Sequence, residues 1–243
     1  MKVADAVAFA GHEVHVCRRR EAGTLLRWLG QDLRGLRVLD VAGGDGYWAA
    51  RARRRGARAV ALDLSPAKLR RGRELTAAPG LVRGDALDLP FADASFDRVM
   101  SICAIEHFAD GPRALAEMAR VLAPGGELVM SADALTLAQR WPRLYRAHCE
   151  RYHVRRTYSH GELAALLSAC GLELIAHEYQ FRTRWAQRMY LGLSAYGGKV
   201  GFNAATPALP LVAAGDRRAR DDGGAIVLVR ARRSTASAIA VWG

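Results

Sequence analysis

Apolar residues in this chain come in short runs, most of them closed by an acid, a glycine or a serine. Val38-Leu39, Ala59-Val60-Ala61-Leu62, Leu81-Val82, Val99-Met100 and Leu128-Val129-Met130 have strand length. Between them the apolar positions recur at helical spacing. One example is Leu115, Met118, Ala119 and Leu122 on one face of a helix predicted over 112–122. Strand and helix alternate, which predicts an α/β fold with a mostly parallel sheet. The punctuation agrees with the periods. Ser65-Pro66 reads as a hydroxyl cap followed by proline at the first helical position. Ser159 and Glu162 match a capping box opening a helix over 163–170. Pro124-Gly125-Gly126 ends a helix and turns into the fifth strand. Leu172-Glu173-Leu174-Ile175 and Ala225-Ile226-Val227-Leu228-Val229 supply two more strands.

Three segments elaborate that alternation. Residues 1–35 read as an N-terminal helical cover, with Leu25, Leu26, Trp28, Leu29 and Leu33 at roughly helical spacing. Residues 132–158 follow the fifth strand and are rich in aromatic residues, histidine and arginine. Residues 181–224 stand between the last two strands. There Trp185, Met189, Tyr190, Leu191 and Leu193 mark an apolar helix face, and residues 206–210 break it. Asp216 to Gly224 reads as a charged, exposed loop, and the tail from Ser234 as disordered. The whole is expected to be one domain. Residues 36–131 form its ligand-binding half, and 132–158 and 181–224 form acceptor-side caps.

Size and charge narrow the classes. A chain of 243 residues at 51% hydrophobic buries one substantial core. The net charge of +12 invites a nucleic-acid partner. Only three residues are lysine (Lys2, Lys68 and Lys199), and runs such as Arg51-Ala52-Arg53-Arg54-Arg55 fall on predicted helices. A solvated helix face accounts for such runs, so no nucleic-acid partner is expected. The four cysteines, Cys17, Cys103, Cys149 and Cys170, lack CxxC or zinc-type spacing. Residues 1–10 are too short an apolar stretch, interrupted by Asp5, to be expected as a signal peptide, and no apolar run approaches the ~20 residues of a membrane span. A cytoplasmic protein is the expectation, as a monomer or homodimer.

The chemistry concentrates in Asp40-Val41-Ala42-Gly43-Gly44-Asp45-Gly46-Tyr47-Trp48, a strand end followed by a glycine-rich turn and a helix. Glycines there let the backbone approach a ligand. A second acid, Asp63, closes the next strand, so two acids at adjacent strand ends suggest a nucleoside. Gly44-Asp45-Gly46-Tyr47-Trp48-Ala49 also fits the relaxed dinucleotide fingerprint, with Asp63 near the expected ~20 residues downstream. A nicotinamide oxidoreductase is therefore one reading of this segment alone. Gly84-Asp85-Ala86, the run Asp93 to Ser101 and the Pro124-Gly125-Gly126 turn weigh against it.

That ordered set resembles the S-adenosylmethionine-dependent methyltransferases with a Rossmann-like fold, particularly the small-molecule group of the methyltransferase type 11 kind. The resemblance is carried from about Leu36 to Met130 and more weakly to Arg232. It implies a seven-stranded, mostly parallel sheet with helices on both faces. It implies S-adenosylmethionine as methyl donor, S-adenosylhomocysteine as product, and no metal. It places Asp40, Ala42, Gly43, Gly44, Gly46, Asp63, Leu64, Asp85, Ala86 and Ser101 around the donor. Asp40 would face the donor's ammonium, Asp63 the ribose hydroxyls and Asp85 the adenine amine. The usual first glycine is Ala42 here, as in quinone-ring C-methyltransferases of the group. The Asn/Asp-Pro-Pro-aromatic motif of exocyclic-amine methyltransferases is missing after the fourth strand, where Ser101-Ile102-Cys103-Ala104 stands. Cys103 lacks the preceding proline of a nucleophilic cysteine and reads as packing.

Glu106 and His107, at the mouth of the donor site, are the catalytic candidates, His107 as a base poised near neutrality. Tyr145, His148, His153 and Tyr158 are the acceptor-binding candidates. The expected reaction is O-methylation of a small molecule in natural-product biosynthesis. C-methylation of a quinone or lipid-like ring, and a non-catalytic donor-binding partner, stay open beside it.

Overall fold

The computed structural model describes residues 16–76, 80–220 and 222–235. The expectations for residues 1–15 and for the tail beyond 235 lie outside these residues. The elements in chain order are α1 (Val16–Leu29), β1 (Arg37–Val41), α2 (Tyr47–Arg53), β2 (Arg58–Asp63), α3 (Pro66–Thr76), β3 (Leu81–Arg83) and β4 (Phe96–Ile102). A short 3-10 turn, Ile105–His107, leads to α4 (Gly111–Val121), β5 (Leu122–Asp133), α5 (Pro142–Tyr152), α6 (His160–Ala169) and β6 (Leu172–Gln180). Then come α7 (Arg184–Gly192), a π-helical turn (Leu193–Gly197), α8 (Gly198–Ala204), α9 (Leu209–Arg218) and β7 (Ile226–Arg233).

Seven strands form one sheet in the order β3-β2-β1-β4-β5-β7-β6. The first five in that order are parallel, and β7 runs antiparallel to both neighbours. Successive residues of β1 face opposite sides of the sheet, as the pleat requires. Leu39 packs in the cluster of Leu115, Met118 and Leu163, and Val38 in that of Leu25, Leu29 and Phe202. Helices thus cover both faces. The chain order reverses between β1 and β4, and an open α/β sheet has its ligand crevice outside the carboxyl ends at such a point.

The helices after Ser65 and Ser159 start where the local signals put them, and α4 has a cap of its own. Asp110 accepts the Arg113 backbone N–H at 3.0 Å and starts α4 ahead of Pro112. The Ser159 hydroxyl accepts from Glu162 N at 3.2 Å, and the Glu162 carboxylate accepts from Ser159 N at 2.9 Å. One expectation is corrected. Asp216 does not begin an exposed loop; it sits in the last turn of α9, 7% exposed. It binds Arg20 at 2.6 Å and accepts the backbone N–H groups of Phe181 (3.0 Å) and Arg182 (2.7 Å). A backbone turn with two free donors accounts for an acid buried there.

Candidate active site

The turn after β1 is built by close approach to β2. Gly43 N donates to the Leu62 carbonyl at 3.0 Å, and Gly44 N to Asp63 Oδ2 at 2.9 Å. Gly43 has no room for a side chain, since a Cβ would lie 2.6 Å from the Asp40 carboxyl group. Gly46 caps α2 at φ 78, and a Cβ there would come 2.6 Å from Leu81. Ala42 takes the left-handed region too, at φ 57. That costs an L-residue roughly 1–2 kcal/mol relative to its usual conformation.

Two buried acids flank this turn. Asp40 is 1% exposed, and its Oδ2 has no hydrogen-bond partner among the described residues. Burial pushes its carboxyl up to about 8, opposed by the Ala49 backbone N–H and reinforced by Asp63 and Asp45. Asp63 accepts from Gly44 N and from Ser65 N (2.9 Å), and the Lys68 ammonium stands 3.7 Å away. A carboxylate offers about four acceptor positions, so two backbone bonds leave capacity for a ligand's hydroxyls.

These groups open on a cavity of about 490 Å³, within the range of small-molecule sites. Asp40, Ala42, Gly43 and Gly44 form its floor, and Asp63, Leu64, Asp85 and Ala86 form one side. Trp48 and Phe108 supply aromatic wall. The exposed Leu64 offers a flat apolar contact. Asp85 also accepts from Leu87 N at 2.9 Å, closing its own turn. A nucleoside bearing an amino acid fits this donor set: an orphaned buried carboxyl, a turn whose Gly43 and Gly44 carry no side chain, and a second acid with open acceptor positions.

A second, buried pocket of about 40 Å³ adjoins the first, and Arg18, Cys103 and His107 line both. Its other walls include Glu106, Asp133, His148 and Tyr190. Asp133 is the hub. His148 Nε2 lies 2.7 Å from its Oδ2, and the Tyr190 hydroxyl donates to Oδ1 at 3.3 Å. The Ser194 hydroxyl lies 2.8 Å from His148 Nδ1 and 2.9 Å from the Leu191 carbonyl. Glu106 is fully buried, and neither of its oxygens has a hydrogen bond among the described residues. Burial, then Asp133, pushes its carboxyl up. His107 Nε2 stands 3.8 Å from Glu106, and His107 Nδ1 has no hydrogen bond among the described residues. Burial lowers the His107 imidazole, against the pull of Asp133. The Cys103 thiol is pushed well up by burial and stays protonated.

Residues 39–130 match the family described as a methyltransferase domain. That stretch resembles a methyltransferase domain, and the sheet carries the Rossmann-like fold of such domains. The chain is 40% identical over 134 residues to a malonyl-[acyl-carrier protein] O-methyltransferase of Erwinia pyrifoliae, covering 54% of this chain and 51% of that protein. It is 43% identical over 100 residues to a demethylmenaquinone methyltransferase of Thermus thermophilus, covering 39% and 46%. The chain thus spans about half the length of the curated relatives it matches. An S-adenosylmethionine-dependent methyltransferase structure from Mesorhizobium loti superposes with a TM-score of 0.60 at 22% identity, over 95% of this chain and 100% of that one. The methyltransferase fold, rather than a nicotinamide-dependent one, is the frame for the residues above.

Within this fold, the residues expected around the donor converge except two. Ser101 is fully buried and donates to the Val41 carbonyl at 3.2 Å, so it ties β4 to β1 behind the cavity. Gly46 lies at the start of α2 and shapes the turn without lining the cavity. Of the acceptor candidates, His148 lines the buried pocket and three others do not. Tyr158 is 2% exposed in the core, its hydroxyl packed over Gly111. Tyr145 packs against the core cluster on the other face, and His153 is exposed where α5 ends in a left-handed turn. Arg18, Glu21, Asp133 and Tyr190 are among the side chains absent from the expected set. Glu21 pairs with Arg18 at 2.8 Å and accepts from the Ser131 hydroxyl. Asp133 had a readable signal, an acid at the carboxyl end of a strand like Asp40 and Asp63. Arg18 and Glu21 had none, because only α1 packing across the sheet brings them there.

Proposed function

We propose that this chain transfers a methyl group from S-adenosylmethionine to an oxygen of a small-molecule acceptor, in natural-product biosynthesis in the cytoplasm and without a nucleic-acid partner. The observation that carries the reading is the shared wall of the two cavities. A donor held over Asp40 and Asp63 would present its methyl toward Cys103 and His107, where the acceptor pocket begins. Bound there, the donor supplies a methyl already activated by its sulfonium. The protein's share is alignment of nucleophile, methyl and sulfur, which can supply much of the rate. Asp63 would accept the ribose hydroxyls, Asp40 would face the ammonium, and Asp85 would accept from the adenine amine. His107 Nδ1, with no hydrogen bond among the described residues, would take the acceptor's proton.

At about 40 Å³ the inner pocket has room for roughly one water. An acceptor therefore requires the cover to move. That cover comprises α5, α7, the π-helical turn and α8, which contribute His148, Tyr152, Tyr190, Ser194 and Phe202 to the pocket. The O-methyltransferase relatives support an oxygen acceptor. The demethylmenaquinone methyltransferase relatives, with Ala42 at the first glycine position, support C-methylation of a quinone or lipid-like ring as the second reading.

Methyl transfer to a panel of carboxylic, phenolic and ring-carbon acceptors, followed by mass spectrometry, tests the reading. His107→Ala should lower turnover on the active acceptor by the ~10²–10⁴-fold typical of a lost general base, with donor binding intact. Donor binding without transfer to any acceptor would leave a non-catalytic partner; normal turnover in His107→Ala would remove the base from the mechanism.

A further inference from the structure

The far edge of the sheet carries a second cluster of donor atoms. His160 at the start of α6, His177 in the edge strand β6 and Asp222 in the segment before β7 meet there. His160 Nδ1 lies 3.1 Å from Asp222 Oδ2, and His177 Nε2 lies 3.4 Å from Asp222 Oδ1. The two imidazole rings stack at 4.2 Å with planes 7° apart, and each has one ring nitrogen within 3.4 Å of the same carboxylate. The donor atoms of all three residues fall within 4.8 Å of one another. We propose that His160, His177 and Asp222 form a binding site for a divalent transition-metal ion of the zinc class.

Two imidazoles and one carboxylate are borderline donors of the kind zinc, copper and nickel take up, with water completing the shell. Zinc–ligand bonds of about 2.0–2.1 Å put tetrahedral donors roughly 3.3 Å apart. The two nitrogen-to-carboxylate distances, one to each oxygen of Asp222, bracket that value. Closing all three donors on one ion requires the side chains to turn, and all three are a third or more exposed. The backbone is held independently, since the Tyr179 hydroxyl accepts from His160 N at 2.9 Å. Without a cation, two stacked imidazoles aim like edges at one carboxylate; a cation at that edge is attracted by all three groups. The ion would clasp the returning end of segment 181–224 to β6. Strands β7, β5 and β4 separate this site from β1, so it lies apart from the donor cavity and its role is structural.

The test uses the full chain without a histidine tag and Zn²⁺ alone as probe, by isothermal titration with thermal unfolding in parallel. One equivalent should bind and raise the melting temperature by mass action. His177→Ala and Asp222→Asn, each checked by circular dichroism, should weaken binding at least tenfold. Cu²⁺ bound to the wild type should show two nitrogen ligands by electron paramagnetic resonance, and one after His177→Ala. No saturable binding, or binding of equal strength in both variants, would overturn the site.

Discussion

Replacing Asp40 by asparagine isolates the group that should couple donor binding to pH. In the ligand-free protein the Asp40 carboxyl titrates at about 8, chiefly because it is buried. A donor ammonium beside its unpartnered Oδ2 would favour the ionised form. Binding then expels the proton, and affinity rises with pH until about 8. With full ionisation in the complex, affinity should increase on the order of 50-fold between pH 6 and pH 8, from the tenfold per unit that one proton carries. At pH 7 about 0.9 proton should be released per donor bound. Titration calorimetry in two buffers of different ionisation enthalpy reads that number directly. Asp40→Asn should bind more weakly at pH 8 and lose the slope. Folding gives an independent check. A raised carboxyl holds its proton in the folded state, and not in the unfolded one, between the ordinary aspartate value of about 4 and about 8. Stability should therefore fall as pH rises through that window, by up to about 1.4 kcal/mol per unit, and Asp40→Asn should flatten the fall. Wild-type donor binding with no proton release at pH 7 would refute the reasoning.

Gly43→Ala places a Cβ 2.6 Å from the Asp40 carboxyl and 3.1 Å from the Ala61 Cβ. It should cost the overpacking range of about 1–3 kcal/mol, read by urea unfolding; an unchanged midpoint would show that the turn has slack. Asp63→Asn removes a charged acceptor shared by two backbone N–H groups and, in the proposed complex, the ribose. Donor affinity should drop by the equivalent of one or two charge-assisted hydrogen bonds, about 1.5–3 kcal/mol each; equal affinity by calorimetry would contradict the assignment. Because burial lowers the His107 imidazole, its neutral form persists below the ordinary histidine value of about 6.5. Turnover limited by this base should begin to fall only below that pH, and a pH profile falling well above it would point to another group.

The local signals of this chain were legible because they depend on neighbours in sequence. Strand and helix periods, the Ser65–Pro66 and Ser159–Glu162 starts, and acids closing β1 and β2 act over a few residues. They determined the α/β class, the donor turn and the place of Asp40, Gly43, Gly44 and Asp63. What lies on the acceptor side was decided by packing across the sheet. Arg18 reaches the pocket from α1, Asp133 from β5, His148 from α5 and Tyr190 from α7, and no spacing in the chain relates the four. The same packing took Tyr158 into the core, set Tyr145 against it, and buried Asp216 against Arg20 and two backbone donors. His160, His177 and Asp222 become neighbours only because α6, β6 and the segment before β7 meet at one sheet edge. Periodicity assigns a side chain to a face of its own element. Which side chains share a pocket depends on strand order and on the helices laid over it, and those are properties of the folded chain.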